Sequence, residues 1–111
     1  MSDSDKVNQL QLLQQNLQST LMQKQQFQAQ VGEYESALKE LNNTEKAYKI
    51  VGKIMITASK DELVKDLTDK KEIAELRLKN FSKQEESLQR NIDEVQQEVV
   101  KEMKESKENN S

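Results

Sequence analysis

The sequence YKIVGKIMITA at residues 48–58 differs in pattern from everything around it. Two sets of residues alternate along it, namely Tyr48, Ile50, Ile54, Ile56 and Ala58 with Lys49, Val51, Lys53, Met55 and Thr57. A period of two and a high content of β-branched residues are typical of strands. Gly52 and Lys53 at the centre predict a tight turn, because glycine supplies the positive φ that such turns require. This stretch is therefore predicted to form a small β-hairpin.

A helix start follows the hairpin directly. The sequence Ser59-Lys60-Asp61-Glu62 has the form of a capping box, in which the Ser59 hydroxyl accepts the backbone N–H of Glu62. Asp61 and Glu62 also favour the positive end of a helix dipole. The second helix is predicted to begin at Ser59 or Lys60.

Heptad patterns lie on both sides of the hairpin, and the chain has no proline and only two glycines to interrupt them. The first seam has a positions Leu10, Leu17, Lys24, Val31 and Leu38, and d positions Leu13, Thr20, Phe27, Tyr34 and Leu41. The second has a positions Val64, Lys71, Leu78, Glu85, Ile92 and Val99, and d positions Leu67, Ala74, Phe81, Leu88, Val95 and Glu102. Ten glutamines between Gln9 and Gln30 fall mostly outside the first seam. Two long helices packed along these seams are predicted.

The predicted fold is mainly α, a long antiparallel two-helix coiled-coil hairpin with one small β-hairpin at the helix connection. Helix 1 is expected over residues 1–44, the β-hairpin over 47–58, helix 2 over 60–104 and a flexible tail over 105–111, all in a single domain. An isolated two-stranded hairpin is marginal in water, and these strands are too apolar to leave their edges bare. The hairpin is therefore expected to oligomerise into a β-barrel with hairpins of other subunits, rather than only cap its own coiled coil. The residues predicted for this role are Tyr48, Ile50, Val51, Gly52, Ile54, Met55 and Ile56.

Three seam positions are charged, Lys24, Lys71 and Glu85, before Glu102 at the end that is expected to fray, and they raise a question of register. If Leu41 lies opposite Leu67 in an antiparallel pair, Lys24 falls near Glu85. One hypothesis is a cross-helix ion pair that specifies the register. The alternative is that both side chains extend to water, as long charged side chains often do.

Composition excludes most reaction chemistry. The chain has 111 residues, no His and no Cys, so it offers no imidazole base, thiolate, disulfide or ordinary zinc site. No catalytic residue, cofactor or metal is predicted, and the protein is expected not to be an enzyme. With a net charge of −3 and intermixed signs, the sequence predicts no basic patch that would bind nucleic acid or an anionic membrane. The acidic N-terminus and the lack of a long apolar run predict a cytoplasmic protein.

The order of these elements resembles the β class of prefoldin subunits. The matching residues are Tyr48, Lys49, Gly52, Ile54 and Ile56 in the hairpin, Lys60 to Leu63 at the helix start, and Lys83 to Glu86 in the return helix. The resemblance covers the chain apart from its tails and is stronger to the archaeal β subunit than to the eukaryotic paralogues. A single hairpin distinguishes this class from the α class, which carries two.

The resemblance implies an ATP-independent chaperone. It implies that two α and four β subunits join their hairpins into a double barrel, and that the coiled-coil tips hold unfolded proteins and deliver them to a group II chaperonin. Apolar residues off the seams near the chain termini fit a client-binding role, since helix pairing does not need them. The predicted client-binding residues are Val7, Leu12, Leu21, Met22, Val100 and Met103, joined by seam residues Leu10, Leu13, Leu17, Val95 and Val99 if the seam opens.

Two alternatives remain open at this point. The main alternative is a structural coiled-coil scaffold without client binding, and a nearer variant is a homomeric prefoldin-like assembly. Single exposed apolar residues are normal on any surface, and Ile73 and Leu76 also lie off the seam, far in sequence from the termini.

Overall fold

The structure is a computed structural model that describes residues 3–109, with side chains over residues 5–106. Helix α1 spans Asp3–Asn42, strand β1 Ala47–Val51, strand β2 Ile54–Ala58 and helix α2 Lys60–Asn109. The strands form one antiparallel two-stranded sheet between two long helices. The predicted mainly α fold is confirmed.

Local hydrogen bonds explain where the helices meet the hairpin. At the end of α1 the backbone N–H of Asn43 donates to the Glu40 carbonyl at 3.1 Å, and the N–H and hydroxyl of Thr44 donate to the Leu41 carbonyl. At the start of α2 the N–H of Glu62 donates to the Ser59 hydroxyl at 3.4 Å. The predicted cap at Ser59 is confirmed, and α2 begins at Lys60.

The far end of α2 differs from expectation. The helix was expected to end at residue 104, and it continues to Asn109. Residues 104–108 are Lys, Glu, Ser, Lys and Glu, which lack apolar side chains but mostly favour helix, and no glycine or proline stops the last turns. The last two residues of the predicted tail lie outside the described part of the chain.

The hairpin has a two-residue turn at Gly52 and Lys53. Gly52 has a φ of 62°, and no described non-glycine residue has a positive φ, so the turn is of type II′. Val51 pairs with Ile54 and Ile50 with Met55. Even-numbered residues of β1 therefore share a face with odd-numbered residues of β2, and the alternation along the chain does not separate an apolar face from a polar one.

The chain forms two compact units. We call one the terminal unit, made of α1 up to Lys24 and α2 from Asn80 onwards, and the other the hairpin unit, residues 25–79. All ten positions of the first predicted seam and all twelve of the second are buried or half-buried. The most deeply buried residues of the terminal unit are Thr20, Ile92 and Val95, and those of the hairpin unit are Ala47 and Ala74. The predicted heptad assignment is confirmed.

Candidate interaction surfaces

The β-hairpin exposes every large apolar side chain it has. These residues, which we call the hairpin surface, are Tyr48, Ile50, Val51, Ile54, Met55 and Ile56, and their exposed fractions run from 46% to 68%. The register places Tyr48, Ile50 and Met55 on one face, and Val51, Ile54 and Ile56 on the other. Both faces of the sheet are therefore apolar and open, an arrangement that a folded chain normally covers.

Exposed apolar side chains also lie on the terminal unit. Val7, Leu12 and Met22 on α1 and Val100 and Met103 on α2 are exposed, with Met22 the most open at 71%. Leu21 is half-buried. It follows the d position Thr20 directly and lies at the flank of the seam, outside the a and d positions, as expected. We call the five exposed residues the terminal apolar set.

The seam residues considered for client contact are held in helix packing. Leu10, Leu13, Leu17 and Val99 are half-buried, and Val95 is buried at 7% exposure. In this conformation they stabilise the pairing of α1 and α2 within the terminal unit. They are available to a partner only if the helices separate there.

Ion pairs join the two helices within the terminal unit. Lys24 Nζ lies 2.7 Å from Glu85 Oε2, so the cross-helix pair hypothesised from the register is confirmed. Lys6 donates a hydrogen bond to Glu102, and its Nζ lies 3.5 Å from Glu98 Oε2. The hydrogen bond to Glu102 raises the pKa of the Lys6 ammonium above its ordinary value, and the charge of Glu98 adds to the effect.

The hairpin unit has its own cross-helix contacts. Lys71 Nζ lies 3.5 Å from Glu35 Oε1 and 3.8 Å from Glu75 Oε1. The Arg77 guanidinium lies over the Phe27 ring, 5.7 Å from its centre. Each charged a or d side chain of α2 in the two units thus has an acidic or basic partner on α1.

The surface depressions of the described residues do not resemble an active site. A groove of about 750 Å³ in the terminal unit is lined by Lys24, Glu85 and Arg90 among others, and it is open to solvent. No group of acidic side chains in the described range is placed to hold a metal ion. No described helix is long and apolar enough to cross a membrane. The geometry offers exposed apolar surfaces rather than a pocket with converging polar groups.

Two of these cross-helix ion pairs were not predicted from the sequence. The pair of Lys6 with Glu102 was missed because Glu102 was expected to lie in a frayed end and Lys6 was not considered, although Lys6 lies one heptad before Leu13 and so at a d position. The pair of Lys71 with Glu35 was missed because Glu35 lies beside the seam rather than in it. A scan for opposite charges at facing seam and flank positions would have found both.

These features define a class of protein: two long helices with coiled-coil seams, joined by an apolar β-hairpin that is uncovered in the single chain. Comparison with known proteins makes the class specific. The family model "Prefoldin subunit" matches residues 4–106. The prefoldin subunit beta of Archaeoglobus fulgidus is 41% identical over 96 residues, which are 84% of this chain and 83% of the relative. That of Pyrobaculum neutrophilum is 38% identical over 102 residues, covering 89% and 81%.

A solved structure has the same fold. The crystal structure of the prefoldin beta subunit from Thermococcus strain KS-1 matches with a TM-score of 0.83 and 31% identity, covering 87% of this chain and 88% of that chain. The chain belongs to the prefoldin subunit family. The resemblance drawn from its sequence is confirmed, and subunits of this family are chaperones rather than enzymes.

Proposed function

We propose that this chain is the β-class subunit of a cytoplasmic, ATP-independent holdase. In this proposal the subunit joins α-class subunits and further β copies, two α and four β in all. The assembly binds unfolded proteins at the coiled-coil ends that carry the chain termini, and it delivers them to a group II chaperonin. Family membership supports the chaperone role. The exposed surfaces of this chain support assigning assembly to the hairpin unit and client binding to the terminal unit.

Assembly is assigned to the hairpin surface. Two apolar faces and two open strand edges on one hairpin are costly in water, and pairing with strands of other subunits covers both at once. Its six side chains are all more than two-fifths exposed in the single chain. Fully burying one such side chain stabilises by about 1.5–3 kcal/mol, so several copies closing into a barrel gain enough to form a stable complex.

Client binding is assigned to the terminal apolar set, which is the observation that carries the proposal. Val7, Leu12, Met22, Val100 and Met103 are exposed although the seam beneath them is closed. Two of the five are methionines, whose flexible thioether side chains adapt to many apolar shapes. A surface of this kind suits a partner without a fixed structure.

The test is suppression of aggregation by the assembled complex. Citrate synthase is heated with the complex of this chain and an α-class subunit, and light scattering is followed without ATP. The variant Leu12→Ser/Met22→Ser/Val100→Ser is compared with Ile73→Ser/Leu76→Ser, which removes two equally exposed apolar side chains from the hairpin unit. Suppression by the wild type and by the Ile73/Leu76 variant, but not by the triple variant, supports the proposal.

Three other results would contradict the proposal or a part of it. If the wild-type hexamer forms and does not suppress aggregation, the chain is a scaffold subunit without client binding. If both variants lose suppression to the same degree, client contact is not located on the terminal unit. A homomeric complex in the absence of the α-class subunit would contradict the proposed subunit composition.

A further inference from the structure

Helix α1 is free of charge over much of the terminal unit. Residues 7–23 are seventeen consecutive residues without Asp, Glu, Lys or Arg, in a chain that is 33% charged. The two lysines that bound this stretch are engaged in cross-helix ion pairs, Lys6 with Glu98 and Glu102, and Lys24 with Glu85. The outward surface of α1 between them therefore presents no net charge to a partner.

The outward side chains of this stretch form a continuous row. Val7, Gln11, Gln15, Gln18 and Met22 follow one another at spacings of three or four residues, which places them on one side of the helix, and all five are exposed. We call this row, with the exposed Leu12 beside it, the neutral face. It consists of carboxamide groups bounded by apolar side chains.

Helix α2 presents the opposite character in the same unit. Up to residue 106, where the described side chains of α2 end, nine of its charged residues are exposed in this unit, namely Lys83, Glu86, Arg90, Asp93, Glu94, Glu98, Lys101, Lys104 and Glu105. Water competes strongly for such groups, and a partner that covers them must desolvate them. An uncharged partner can therefore cover the neutral face of α1 with a smaller desolvation cost than the charged surface of α2.

The chemistry of the neutral face matches an uncharged, extended segment of polypeptide. A glutamine side chain both donates and accepts hydrogen bonds, as a backbone peptide group does, and it carries no charge to desolvate. Val7, Leu12 and Met22 supply apolar contacts alongside. A charged segment gains nothing there, since neither sign finds a counter-charge and its ions would lose water.

We propose that the neutral face of α1 forms the larger part of the client contact in the terminal unit, beside Val100 and Met103 of α2, and that it selects uncharged apolar and amide-rich segments independently of the net charge of the client. This inference rests on the proposed holdase function and adds to it the helix face that makes most of the contact and the class of segment that it binds. It predicts client binding that is insensitive to salt.

The test uses the assembled complex and fluorescently labelled peptides of about 20 residues. In an extended conformation such a peptide is long enough to lie along several turns of α1. One peptide contains Ser, Gln, Leu and Val only, and two others carry Lys or Glu at every fourth position. Fluorescence anisotropy should give a Kd for the neutral peptide that changes less than about twofold between about 50 and about 500 mM salt. Both charged peptides should bind about tenfold more weakly and to a similar degree.

A pair of net-neutral variants locates the contact. Gln11→Glu/Gln15→Lys places two charges on the neutral face as a helix-favouring i,i+4 pair, so the helix is retained. Ser87→Glu/Asn91→Lys adds the same two charges at the same spacing to exposed positions of α2 in the same unit. The first variant should weaken binding of the neutral peptide about tenfold, and the second should leave it within about twofold.

Each remaining outcome overturns a definite statement. Unchanged binding by the Gln11/Gln15 variant, or equal loss in both variants, overturns the neutral face while leaving the holdase function intact. Tighter binding of a charged peptide that weakens with salt also overturns it. A change in the oligomeric state of the Gln11/Gln15 variant would show an interface between copies instead. Failure of the wild-type complex to bind any of the peptides overturns the proposed function itself.

Discussion

Lys24 and Glu85, separated by 61 positions in the chain, lie 2.7 Å apart at facing a positions of the two seams. Their side chains are 24% and 32% exposed, so the pair is partly desolvated without being enclosed. Each occupies a position where an apolar residue would pack better. The pair therefore contributes more to the alignment of the two helices along the seam than to the stability of the fold. A shift of the helices by one heptad would leave both charges against apolar neighbours.

Removing one member of this pair should destabilise the chain more than exchanging both. Lys24→Met leaves Glu85 partly buried without its counter-charge, and Glu85→Gln leaves Lys24 in the same position. We expect each to lower the free energy of unfolding by about 1–2 kcal/mol, between the values for exposed and fully buried pairs. Denaturant unfolding followed by circular dichroism at fixed protein concentration measures the change.

The exchanged double variant Lys24→Glu/Glu85→Lys separates pairing from packing. It should recover most of the stability lost in the single variants, because the two charges still face each other. A double variant that melts below both singles would refute the pairing.

Much of the fold could be predicted because the relevant signals are local and periodic. The seams follow from a spacing of three and four residues, and the structure buries or half-buries every assigned position, including polar Thr20 and charged Lys71. The turn at Gly52 and the cap at Ser59 follow from the conformational needs of single residues. Register across the coiled coil followed from counting outwards from the turn.

The features that were missed depend on how two strands or two helices pair with each other, which the pattern within one element does not show. The alternation in residues 48–58 does not tell which residues share a face, because a two-residue turn inverts the parity between the strands. The half-burial of Leu21 depends on how closely α2 approaches the flank of α1. The pairs of Lys6 and Lys71 depend on the reach of long side chains across the seam.

The ion pair of Lys6 should make stability depend on pH in the alkaline range. Its pKa in the folded chain lies above the ordinary value of 10.5, chiefly because of the hydrogen bond to Glu102. A raised lysine pKa contributes stability that is complete below pH 10.5 and is lost as the pH rises through the raised value. Lys6→Gln lacks this contribution, so its melting temperature should lie below that of the wild type at about pH 8 and approach it at about pH 12.

Lys101→Gln is the matched control, since Lys101 is an exposed lysine of the same unit. Its difference from the wild type should not shrink in this way. If the difference between wild type and Lys6→Gln stays constant across the alkaline range, the Lys6 pair does not contribute to stability.

A charge on the hairpin surface should prevent assembly without unfolding the helices. Ile54→Lys places an ammonium on a strand residue that is 66% exposed in the single chain and buried in the proposed barrel. We expect size-exclusion chromatography with light scattering to show a lower oligomeric state at unchanged helicity. Ile73→Lys, at a position 55% exposed on α2, should assemble normally. Loss of assembly in both variants, or in neither, contradicts the assignment of the hairpin surface.

The two glycines should respond to alanine in opposite directions. Gly32 lies inside α1, and a Cβ built there meets no atom within 4 Å, so Gly32→Ala should stabilise the chain by about 1 kcal/mol through helix propensity. Gly52 has equal space around it but a φ of 62°. Gly52→Ala should therefore destabilise by about 1–3 kcal/mol through backbone strain alone. Urea unfolding of both variants at one protein concentration tests the pair, and a stabilising Gly52→Ala would show that the turn has another conformation.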